Sequence, residues 1–130
     1  MDRLDSFIEQ WEDGSMKKAF LELKELLEKK EDVDISFKAR PGISYSLRAM
    51  RKGQEEEFFV MIDVIDDPSN RWLSICFYKD MISDPEERGN LIPDGLQGRD
   101  GYCFDLDSWD TSFFNYIKER IEEAYRNAKK

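Results

Sequence analysis

The sequence predicts one α+β domain over residues 1–130, two layers deep: a four-stranded antiparallel β-meander packed against an N-terminal helical pair and a C-terminal helix. Three observations lead there. Apolar residues recur with a period near 3.6 before Asp32, with a period of 2 after it, and with helical spacing again beyond Asp107. The stretch Glu57 to Tyr78, EFFVMIDVIDDPSNRWLSICFY, holds two β-rich runs joined by the turn formers Asp66 to Asn70, the signature of a central hairpin. Connections between strands are short throughout, which favours antiparallel neighbours in the order 1-2-3-4.

Leu4, Phe7, Ile8 and Trp11 fall on one helical face, and Gly14 stops that helix. Ser15 is placed to cap a second helix, whose Met16, Ala19, Phe20, Leu23, Leu26 and Leu27 form a stripe opposite lysines and glutamates. The first strand alternates Val33, Ile35, Phe37 and Ala39 with Asp34, Ser36, Lys38 and Arg40, so one face is buried. Pro41-Gly42 turns the chain, and Ile43, Tyr45, Leu47 and Ala49 then alternate with Ser44, Ser46, Arg48 and Met50. A polar link bending at Gly53 leads to Phe58–Ile65, apolar on both faces except at Asp63 and therefore central. The fourth strand is Trp72–Tyr78.

Asp84-Pro85-Glu86-Glu87 reads as a short capped helical turn. Four glycines and one proline between Gly89 and Gly101 argue for a long surface loop, a candidate lid, closing with a brief extended run Tyr102 to Leu106. Asp107 or Ser108 is expected to cap the last helix, with Trp109, Phe113, Ile117, Ile121 and Ala124 on its buried face. Lys129 and Lys130 suit the negative end of its dipole.

Composition narrows the function classes. With 40% apolar and 13% aromatic residues, 130 residues can bury a core without disulfide or metal. A formal charge of -9 repels phosphate backbones and anionic headgroups, so neither nucleic acid nor membrane is an expected partner, although Arg40, Arg48, Arg51, Lys52 and Arg71 make the sheet its most basic part. The N-terminus carries Asp2, Arg3 and Asp5 and has no signal-peptide core, which gives a cytoplasmic expectation. Cys76 and Cys103 have neither CxxC spacing nor the density of a disulfide scaffold and are expected as reduced thiols.

The chain has no histidine, which removes the usual general base near neutral pH and every imidazole-based triad. The acidic cluster Asp94, Asp100, Asp105, Asp107 and Asp110 does not follow the EF-hand ligand pattern, so its aspartates are assigned to turns and a helix start; no metal and no cofactor is expected. The unusual residue is Asp63, a carboxylate on an apolar strand that needs solvent, a donor or a cation, with Arg48 across the hairpin as the candidate partner. If the register sets the Ser74 face beside Asp63, then Ser44, Ser46, Arg48, Asp63, Ser74, Cys76 and Tyr78 share one semi-polar face beneath the glycine-rich loop. Sequence alone leaves that register open.

Residues 60 to 107, VMIDVIDDPSNRWLSICFYKDMISDPEERGNLIPDGLQGRDGYCFDLD, resemble a segment of a family of small uncharacterised bacterial proteins, with IDVIDD and DPEERG as the shared features. The resemblance implies a standalone bacterial cytosolic protein and transfers no site residue. The leading expectation is a non-catalytic binding module with an unknown protein partner or small ligand. One alternative is a small-ligand or enzymatic pocket around Arg48, Asp63 and Cys76; another is a homodimer formed through the sheet, with fourth-strand edges meeting across a twofold axis.

Overall fold

The change of period at Asp32 is where the sheet begins. The computed structural model describes residues 2–67 and 69–128, and its elements run α1 (Asp2–Gln10), α2 (Ser15–Glu28), β1 (Val33–Arg40), β2 (Ser44–Arg51), β3 (Val60–Ile65), β4 (Trp72–Tyr78), β5 (Asn90–Leu96), β6 (Arg99–Leu106) and α3 (Thr111–Asn127). A single 3-10 turn, Lys79–Met81, follows β4. Pro68 of the expected turn and the helix-end cations Lys129 and Lys130 lie outside the described residues.

The class is α+β with an antiparallel sheet, but the sheet has six strands, not four, in the order β1-β2-β3-β4-β6-β5. The expected meander holds through β4. The expected lid between Gly89 and Gly101 is instead a hairpin: Leu96 pairs with Arg99, and between them Gln97 and Gly98 both take positive φ, 57° and 79°, the two-residue turn whose twist matches paired strands. Pro93 is accommodated because β5 is an edge strand, where a missing donor costs no ladder bond, and the ladder shifts register between Ile92 and Leu96. Cys103, expected in a loop, therefore lies on β6.

Register builds the core. Phe37, Leu47, Ile62, Ile75 and Phe104 lie opposite one another across β1, β2, β3, β4 and β6 and form one apolar row. Phe7 of α1 stacks on Tyr45 at 4.1 Å and meets Phe37 at 5.8 Å and Phe20 of α2 at 6.2 Å. Phe113 and Tyr116 of α3 reach Phe104 at 6.4 and 6.0 Å, and Tyr125 meets Phe59 at 5.7 Å. All three helices thus cover the same side of the sheet. Fully burying side chains of this size stabilises a fold by roughly 1.5–3 kcal/mol each before conformational entropy is counted.

Three local expectations change. Asp110, not Asp107 or Ser108, caps α3 by accepting from the Phe113 amide at 3.0 Å, and Trp109 stays outside the helix, 47% exposed. Gly14 occupies the position before α2, and no side chain caps that helix. Asp84 begins a turn rather than a helix. Its carboxylate accepts from the Arg88 and Gly89 amides at 3.0 and 2.9 Å and from the Tyr116 hydroxyl, which ties the segment before β5 to α3. Burial pushes this carboxyl up, but those donors outweigh it and hold Asp84 below the usual carboxylate range.

Candidate functional site

Strand alternation sends every second residue to the side the helices do not cover. On β1 these are Asp34, Ser36, Lys38 and Arg40, all exposed. The register then decides what the sequence left open: Ser46 lies opposite Asp63, and Asp63 opposite Ser74. Ser44, Ser46, Arg48, Asp63, Ser74, Cys76 and Tyr78 consequently share one face. Met50, Met61, Ile65 and Trp72 lie on the same face, as do Cys103 and Asp105 of β6.

Asp63 and Arg48 do not pair directly. Arg48 lies opposite Met61, one diagonal step from Asp63, and among the described residues no ion pair joins them. Arg48 Nε donates to Ser46 Oγ at 3.1 Å, and Ser46 lies directly opposite Asp63, where its hydroxyl favours the ionised carboxylate. Burial raises the Asp63 carboxyl above its ordinary value; the Ser46 hydrogen bond and the charges of Arg48 and Arg40 oppose that rise without cancelling it. Its Oδ1 is buried with no hydrogen-bond partner among the described residues.

The expectation of reduced thiols is overturned. Cys76 and Cys103 are directly opposite on β4 and β6, with Cα atoms 4.1 Å apart, and form a disulfide. The spacing of 27 residues carries no cysteine motif, and only the strand pairing brings the two together. In this state Cys76 is neither a free thiol nor a nucleophile.

At the far end of the face Tyr78 is buried, stacked on Phe58 at 4.9 Å and covered by the Arg99 guanidinium at 4.3 Å. Burial raises its hydroxyl pKa. Arg99 in turn binds Asp80 at 2.9 Å and Glu56 at 3.4 Å. Three surface clefts of about 620, 480 and 600 Å³ lie elsewhere, lined by the α1–α2 connection and the β3–β4 turn, by α1 with Pro41 and Tyr45, and by Asp80, Asp94, Arg99 and Asp100. None of the three is lined by the seven face residues.

The aspartate cluster is dispersed: Asp100 accepts from the Asp94 amide at 2.9 Å across the hairpin, Asp105 lies on the uncovered face and Asp110 caps α3. Among the described residues no group of three or more histidine, cysteine, aspartate or glutamate side chains is arranged to hold a metal ion. Nor is any described helix long and apolar enough to cross a membrane. What the face offers is area, a basic margin and apolar side chains. No protein-family profile, curated protein or solved structure matches the chain.

Proposed function

We propose that this chain is a non-catalytic binding module of the bacterial cytoplasm and that it docks a protein partner on the uncovered sheet face. The observation that carries the reading is one-sided helix packing: three helices cover one side of a six-stranded sheet, and on the other side Lys38, Arg40 and Asp105 are exposed, although Ser44, Ser46 and Cys76 are buried there and Phe58 packs on Tyr78. A broad face whose seven candidate residues line none of the three clefts suits a protein surface better than a small molecule.

The charge pattern favours one partner chemistry. Lys38, Arg40 and Arg48 gather on β1 and β2 of a chain whose formal charge is -9, and among the described residues none of the three has a carboxylate within ion-pair distance. A partner that sets carboxylates against this margin and apolar groups against Met61, Ile65 and Trp72 would match it. β4 is interior, paired with β3 and β6, so it offers no free edge to a homodimer.

The test is quantitative affinity enrichment from a bacterial lysate with the wild-type chain and with Lys38→Glu/Arg40→Glu, both positions being exposed. A partner recovered by the wild type, released by salt and depleted at least tenfold with the double variant supports the reading. Equal recovery on both chains would sink it, and twice the monomer mass for the wild type alone would replace it with self-association.

A further inference from the structure

We infer that the Cys76–Cys103 disulfide is a reversible two-electron redox centre that exchanges with dithiols while the fold stays intact. This inference is independent of the docking proposal. Three features of the structure carry it.

The bridge joins residues that the β4–β6 ladder already holds opposite each other, from Leu73–Leu106 to Tyr78–Gly101. Opening it therefore releases no element from the sheet. It also lies on the side without helices, and Cys103 is only half-buried whereas Cys76 is buried, so Cys103 is the more accessible of the two to an incoming thiolate. Finally, Ser74 Oγ lies 3.6 Å from Cys76 Sγ. A disulfide sulfur carries no proton, so the serine hydroxyl is the donor, and it is aimed at the atom that becomes the leaving thiolate.

The exchange balances without a further reactant. A thiolate of the dithiol attacks Cys103 Sγ, the Cys76–Cys103 bond breaks, and Cys76 leaves as a thiolate that accepts the Ser74 hydrogen bond. The second thiolate of the reductant then attacks its own sulfur in the mixed disulfide and expels Cys103 as a thiolate. Both cysteines take up protons from water; the protein gains two electrons and the dithiol becomes a cyclic disulfide. On the cytoplasmic address proposed above, a disulfide is ordinarily transient and redox-active rather than structural.

The test treats the native chain with dithiothreitol, traps thiols with iodoacetamide, and reads intact mass beside amide NMR spectra. The expected result is labelling of both cysteines without denaturant, shift changes confined to β4, β6 and their neighbours, and recovery of the first spectrum on reoxidation. Ser74→Ala, a small change on the uncovered face, is expected to slow reduction roughly tenfold by removing the hydrogen bond to the leaving thiolate. Labelling that requires denaturant, loss of spectral dispersion on reduction, or a Ser74→Ala rate equal to wild type would each overturn the assignment.

Discussion

Asp63 shows how far one side chain can be understood from its type and how much depends on its neighbours. A carboxylate on an apolar strand invites an ion-pair reading, and breaking such a pair would cost several kcal/mol. Here Arg48 is a diagonal step away and only partly offsets burial, which dominates and raises the carboxyl pKa. A raised folded-state pKa means the native chain holds this proton more tightly than the unfolded chain, so stability falls as pH rises from the ordinary value of 3.8 through the raised one. Asp63→Asn, which imitates the protonated form, should therefore be more stable than wild type at pH 7 and equal to it below the unfolded pKa. Urea unfolding across pH 3 to 7 checks this; a variant less stable at pH 7 would restore the ion pair.

At the scale of elements the β5–β6 hairpin is the instructive case. Its first strand is exposed at every residue but Leu96 and contains Pro93 and Gly95, so neither alternation nor composition marks it as a strand. The readable signals were Gln97-Gly98 as a two-residue turn and the alternation Tyr102, Phe104, Leu106 beyond it. The hairpin is held at its start by close packing: a Cβ at Gly89 would stand 2.8 Å from the Phe104 ring, which is fully buried. Gly89→Ala is expected to destabilise the domain by about 1–3 kcal/mol, the usual cost of overpacking, measured as a lower urea midpoint at unchanged m-value. A change below about 0.5 kcal/mol would mean that Phe104 moves aside at little cost.

For the whole molecule, one-sided packing sets both stability and surface. The interior strands β2, β3 and β4 join the apolar row to the helices, whereas β5 is an edge strand and largely exposed. Native-state amide exchange should follow that order, with Leu47, Ile62 and Ile75 among the slowest amides and β5 near the fastest. Uniform protection across the sheet would contradict it. The two edges also resist pairing with other sheets, β1 through the exposed Lys38 and Arg40 and β5 through Pro93.

Element type was largely legible in the linear chain. Helical stripes and strict alternation are local patterns, and they identified all three helices, β1 to β4, the central position of β3 and the residue types that share a face on each strand. Tertiary structure decided what depends on register and on long-range pairing. A one-residue slip would have moved Ser74 and Cys76 to the helix side, and no local preference rules that out. The Cys76–Cys103 bond, the place of Ser46 opposite Asp63 and the sixth strand all arise because side chains distant in sequence are set opposite one another by ladders whose alignment only the folded sheet selects.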